Sequence, residues 1–200
     1  VAVWGCRAFV GTPQEDAGTV DRGAVYVFEA ANPDIFALAS GGDLLVEDLS
    51  LGNREISLSF MPTPAPGFVV LNDPTGIIET TIPGASGSGT NTISIPISTF
   101  NGRLIVNGYG NDDRLTLDFT GGNPIPAAGL VYDGGSNVAA ADTLRMTGTG
   151  AQAFAIRPDG ATSRKGTIFV SESQGSVSFD GVESLVVSNA MSISVTTAGG

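Results

Sequence analysis

The chain has 200 residues, of which 42% are hydrophobic and only 14% charged, and it carries a formal net charge of −11. With 20 acidic side chains against 9 basic ones, and one lysine (Lys165), it has no Lys/Arg stripe able to neutralise nucleic-acid phosphates or to attach to an anionic membrane surface. The absence of histidine removes the commonest general base, and a lone cysteine (Cys6) excludes an intrachain disulfide and a Cys-cluster zinc site.

In chain order, the opening Val1-Ala2-Val3-Trp4 shows no basic segment followed by an apolar run. It reads as the start of a mature or excised piece of a larger exported protein. Residues 1–30 form a first unit, with a strand over Ala24–Phe28 and Cys6 as a small hydrophobe in an earlier strand. Residues 31–42 read as a linker or short helix. Asp34-Ile35-Phe36-Ala37-Leu38-Ala39 is bounded by Pro33 and by Gly41-Gly42, which allows barely two turns.

Residues 43–200 read as one β domain. Alternation and turn residues mark strands at Leu44–Asp48, Glu55–Phe60, Phe68–Leu71, Thr92–Ile97, Arg103–Val106 and Arg114–Phe119. Further strands fall at Leu130–Tyr132, Thr143–Met146, Ala153–Ile156, Thr167–Val170, Ser176–Phe179, Ser184–Val187 and Ser192–Val195. The tract between Glu79 and Arg103 is uncharged, but Pro83, Gly84, Gly87, Gly89 and Pro96 exclude a membrane span. Within it, Gly84-Ala85-Ser86-Gly87-Ser88-Gly89 lacks the Gly-Lys-Ser/Thr ending of a phosphate loop and reads as a flexible loop.

A repeat appears when the chain is slid against itself. Asp113-Arg114-Leu115-Thr116-Leu117 falls on Asp142-Thr143-Leu144-Arg145-Met146, and a Gly-rich turn precedes each copy. Alternate residues share a face, so Leu115, Leu117, Leu144 and Met146 should point into one core, while Arg114 and Arg145 should point to solvent. Short strands returning after Gly/Asn/Asp turns suit an all-β fold built as a parallel β-helix or solenoid. A β-sandwich with similar turns is the alternative.

Two family resemblances follow from these residues. Ala8-Phe9-Val10-Gly11-Thr12-Pro13 with Gly23-Ala24-Val25-Tyr26-Val27-Phe28 resembles half a blade of the FG-GAP repeat of integrin-type propellers. That resemblance implies a strand pair around an acidic loop, here Gln14–Asp21. Leu104 to Leu117, with the turn Asn107-Gly108-Tyr109-Gly110-Asn111-Asp112, resembles a degenerate haemolysin-type (RTX) calcium repeat and the repeats of large exported bacterial surface proteins. Val177 to Leu185 is similar to a closing coil of such repeats. The resemblance implies calcium as cofactor. The expected weak metal site is Asn111, Asp112 and Asp113 in one turn, with Asp142 stacked about 5 Å away on the next strand.

Catalysis has little to stand on. No histidine can activate a serine, and no Gly-x-Ser-x-Gly elbow occurs. Lys165 sits at a hairpin tip. Asp112, Asp113, Asp118, Asp133 and Asp142 could pair for glycoside chemistry, but Asp at turns ordinarily accepts backbone N–H groups. No catalytic residue and no other cofactor-binding residue is therefore assigned. The sequence points to a non-catalytic, extracellular or cell-surface structural or adhesion module. Its partners would be cell-envelope components, polysaccharide or other surface proteins. The alternative is a polysaccharide-acting β-helix enzyme.

Overall fold

A computed structural model describes residues 33–50, 52–136, 141–160, 164–171 and 175–197, together with the backbone of three earlier strands. The chain divides into two compact units, Val1–Asn32 and Pro33–Gly200. In the first unit β1 (Ala2–Trp4), β2 (Arg7–Thr12) and β3 (Ala24–Glu29) pair antiparallel in the order β1-β2-β3. The expected strand pair is thus joined by a third strand. The expected acidic loop Gln14–Asp21 and Cys6 lie outside the described residues.

The second unit is all-β, with two open mixed sheets. A 3₁₀ turn at Ile97–Thr99 is the only helical segment among the described residues. No helix there is long and apolar enough to cross a membrane.

Its centre is a set of paired strands joined by corners. In one sheet β5 (Asp43–Asp48), β10 (Leu104–Asn107), β12 (Leu130–Asp133) and β16 (Ser176–Asp180) run parallel as neighbours. In the other, β6 (Glu55–Met61), β11 (Arg114–Asp118), β13 (Thr143–Thr147) and β17 (Ser184–Ser188) do the same. Each strand of the first set leads through one corner into its counterpart in the second. The registers align the apolar positions into columns: Leu44, Leu104, Leu130 and Val177 in one sheet, Ile56, Leu115, Leu144 and Leu185 in the other. Alternation then buries one face of each strand. Leu115, Leu117, Leu144 and Met146 are fully buried, as their spacing predicts, and Arg114 and Arg145 are exposed.

Four more strands finish the sheets at the N-terminal side of this unit, all pairing antiparallel except β8, which runs parallel to β4. β4 (Ile35–Ser40) pairs with β5, and β8 (Ile78–Thr80) with β4. β7 (Phe68–Asn72) pairs with β6, and β9 (Thr92–Pro96) with β7. Here the expected linker or short helix over residues 31–42 is corrected. Residues 35–40 form a strand whose Ile35 and Ala37 point into the core. Six residues give a helix too few hydrogen bonds to repay nucleation. Gly41 and Gly42, both at positive φ (61° and 93°), instead make the tight turn that folds β4 back on β5. The Gly84–Gly89 tract is likewise tied down: Ser86 exchanges both backbone hydrogen bonds with Ser94, at 3.0 and 2.9 Å.

At the other side, β14 (Ala153–Pro158) and β15 (Gly166–Val170) form a hairpin beside β16. β18 (Ser192–Val195) pairs parallel with β14. The step β17→β18 therefore stacks on the step β13→β14. Their corners are bonded through Gly148 N–H to Ser188 O (3.0 Å) and Met191 N–H to Gln152 O (2.9 Å).

Candidate functional site

The corners that lead into β6, β11, β13 and β17 end on Arg54, Asp113, Asp142 and Glu183. Parallel register places these four residues one strand apart in a single column, immediately before the paired residues Glu55, Arg114, Thr143 and Ser184. A parallel ladder leaves the N–H of such a corner residue without a strand partner, and a buried N–H needs an acceptor. The next residue in the column supplies it. Arg54 N–H donates to Asp113 Oδ1 at 2.8 Å, Asp113 N–H to Asp142 Oδ1 at 2.7 Å, and Asp142 N–H to Glu183 Oε2 at 2.8 Å. The sequence separations are 59, 29 and 41 residues.

Guanidinium groups close both ends of this row. Arg54 contacts Asp34 at 2.7 Å and Asp73 at 3.6 Å, and its Nε donates to Ser50 Oγ at 2.8 Å. Arg164 meets Glu183 Oε1 at 2.6 Å.

The middle of the row is dry. Asp113 is 4% exposed and Asp142 0%. Each has one oxygen, Oδ2, with no hydrogen-bond partner, as has the buried Tyr132 hydroxyl on β12. Glycines permit this packing. A Cβ on Gly134 would lie 2.7 Å from Asp142 Oδ2, and one on Gly108 would lie 2.8 Å from Asp113 Oδ2. The Gly-rich turn before each Asp is thus a steric requirement of the buried carboxylate behind it.

Burial sets the electrostatics. It pushes the Asp113 carboxyl up to about 7, aided by Asp48 and Asp142 and opposed by the Arg54 N–H and guanidinium. Asp142 is pushed up to about 6 by burial and by Glu183 and Asp112, against the Asp113 N–H and Arg164. Desolvation also raises Asp48, and it raises Tyr132 further than its usual phenol range.

The four expected metal residues are only partly gathered. Asp113 and Asp142 meet as their spacing predicts. Asn111 and Asp112 are half-buried in the preceding turn, and Asp112 N–H donates to Asn53 Oδ1 at 3.3 Å. Among the described residues no three acidic side chains form a group able to hold a metal ion. Asp118 and Asp133 accept the N–H groups of Thr120 (2.9 Å) and Gly135 (3.0 Å), the ordinary work of turn aspartates. Lys165, next to the β14–β15 turn, pairs with Asp180.

Arg54, Glu183, Arg164, Asp48 and Tyr132 were not legible as members of this cluster. The one sequence signal was the offset of 29 that superposes Asp113 on Asp142. No family model, curated protein or solved structure matches the chain.

Proposed function

We propose that residues 33–200 are a β-solenoid module, that the chain belongs to an exported surface protein, and that its work is structural or adhesive rather than catalytic. The observation that carries this reading is the carboxylate row. Asp113, Asp142 and Glu183 each accept the backbone N–H of the neighbouring repeat, so acids that could have formed a reactive pair are spent on joining corners. Parallel stacking of four strand–corner–strand repeats is the arrangement in which each unit buries its apolar face on the next. The FG-GAP-like sequence of the first unit and the RTX-like turn at Asn107–Asp112 add to the cell-surface reading by resemblance.

Asp113 and Asp142 also give the polysaccharide-acting enzyme its best support, since both are adjacent carboxyls held near neutrality. Their burial argues against it, because a sugar cannot reach them. Incubation with pectin and alginate tests the choice. The module reading expects no turnover. Turnover that disappears in both Asp113→Asn and Asp142→Asn would establish the enzyme.

Calcium at Asn111, Asp112, Asp113 and Asp142 belongs to the same proposal. The unpartnered Oδ2 atoms of Asp113 and Asp142 support it, although they supply two of the six to eight oxygens that calcium takes. Melting with calcium against a chelator, repeated for Asp112→Asn/Asp113→Asn, is the measurement. A calcium-dependent rise lost in the double variant supports the site. Melting that ignores both removes calcium from the reading.

A further inference from the structure

The outward face of the sheet that holds β6, β11 and β13 carries a shallow groove of about 300 Å³, lined only by residues between Glu55 and Thr147. Register builds its floor. Ser57, Thr116 and Arg145 lie side by side on adjacent strands, and Arg114 and Thr147 flank that row on the same face. Asn72 on β7 continues the row, and Pro74 lines the same end. That end is fixed in place. Asn72 Nδ2 donates to Thr92 Oγ1 at 2.7 Å and to Asn91 O at 3.1 Å, and the buried Asp73 accepts Thr75 N–H at 2.9 Å.

One group sets the charge of the groove. Among the described residues every other basic side chain is engaged. Arg54, Arg103, Arg114, Arg164 and Lys165 pair with carboxylates, and Arg157 lies over the Phe169 ring at 4.9 Å. Arg145 has neither kind of partner there, although the chain holds 20 acidic residues against 9 basic ones. Arg114 and Glu55 neutralise each other across the groove floor. Asp118, further along β11, accepts Thr120 N–H at 2.9 Å.

An exposed guanidinium beside hydroxyls and an amide suits a hydroxylated ligand that carries a carboxylate. Arginine takes a carboxylate through two parallel N–H groups, and Ser, Thr and Asn exchange hydrogen bonds with sugar hydroxyls. The lining has no aromatic residue and one apolar residue, Pro74, so it offers a protein partner no buried anchor. Its polar positions recur one strand apart, about 4.8 Å, close to the length of one sugar ring in an extended glycan.

We propose that this groove binds a uronate-bearing polysaccharide laid across β6, β11 and β13, with a uronate carboxylate on Arg145 and ring hydroxyls on Ser57 and Thr116. The inference names a partner for the adhesive module proposed above and rests on that reading. The net charge of −11 opposes a polyanion at long range, but physiological salt screens it beyond about 8 Å.

An amide NMR titration of the full chain with trigalacturonate, at about 0.15 M salt, tests the site. Shifts should concentrate at Ser57, Thr116 and Arg145. Arg145→Gln should weaken binding at least about tenfold with an otherwise unchanged spectrum, since a hydrogen bond to a charged group is lost. The methyl ester of the same trisaccharide should bind the wild type as weakly. Arg103→Gln, on the other sheet, should leave affinity unchanged. No saturation at millimolar trigalacturonate, shifts on another face, or affinity indifferent to Arg145→Gln would overturn the proposal and leave the adhesive reading standing. Cleavage of the trisaccharide would instead overturn the non-catalytic reading on which the proposal rests.

Discussion

Asp113 and Asp142 each combine two demands that conflict at neutral pH. The corner N–H groups of Arg54 and Asp113 need an acceptor, and a carboxylate supplies a strong one. The same carboxylate is buried, and its second oxygen has no hydrogen-bond partner. Both carboxyls lie above the ordinary value of 3.8, at about 7 and about 6, so the folded chain binds their protons more tightly than the unfolded chain does. The resulting stability is complete below the unfolded value and is lost as pH rises through 6 and 7. Melting temperature should therefore fall between pH 5 and pH 8, by roughly 2–4 °C for each kcal/mol lost in a domain of this size. Asp113→Asn keeps an oxygen for Arg54 N–H and removes the titration. It should melt above the wild type at pH 8 and show a shallower pH slope. Asp113→Ala removes the acceptor as well and should melt lower at every pH, an orphaned N–H costing about 1–3 kcal/mol. Wild-type melting that rises from pH 5 to pH 8 would refute this account of the row.

At the level of single strands, alternation decides which substitutions matter. Leu144 is fully buried in β13, and its neighbour Arg145 is exposed. Leu144→Ala should cost about 2–5 kcal/mol in urea unfolding, and Arg145→Ala within about 0.5 kcal/mol. Similar costs for the two would mean that the strand is turned over. The same alternation made β5, β6, β11 and β13 readable from sequence, because each has apolar residues at every second position between turn residues. β4 reads as a short helix in sequence because Ile35-Phe36-Ala37-Leu38-Ala39 is apolar throughout, a pattern that a helix and a buried strand share. β8 leaves no signal because three residues carry no period. Pairing was legible only where the corner lengths happened to keep like residues in line. An aspartate stacks on an aspartate across 29 residues, but an arginine precedes it by 59 and a glutamate follows by 41, and neither change of type nor of spacing leaves a repeat to find. The site was half-visible for the same reason. Asp113 and Asp142 stand out in the sequence, while Arg54 and Glu183 join them through backbone register and Arg164 through its ion pair with Glu183.

Across the whole second unit, each strand is hydrogen-bonded to its sheet neighbours, and both sheets contribute side chains to one buried apolar cluster. β11 touches β6 on one side and β13 on the other, and β12 lies between β10 and β16 in the same manner. If the proposed stacking is right, a repeat is a removable piece, since stability is then a sum over repeats and their interfaces. Excising residues 114–142 joins Asp113 directly to Thr143 and removes β11 and β12 together. The pieces on either side still match. Leu144 and Met146 would meet Ile56 and Leu58, and Val177 and Phe179 would meet Leu104 and Val106, each an apolar pair in the register that the lost strands held. The corner row would close as well: Arg54 N–H keeps Asp113 as acceptor, and Asp113 N–H gains Glu183 in place of Asp142. The excision also removes the buried Phe119, which packs edge-on against Phe154 at 5.8 Å, and the buried Ile125, and these losses lower stability. The shortened chain should keep a β-type far-UV spectrum and melt cooperatively at a lower temperature. A sandwich, in which β11 and β12 hold both layers together, would lose its cooperative transition under the same excision, and that result would end the solenoid reading.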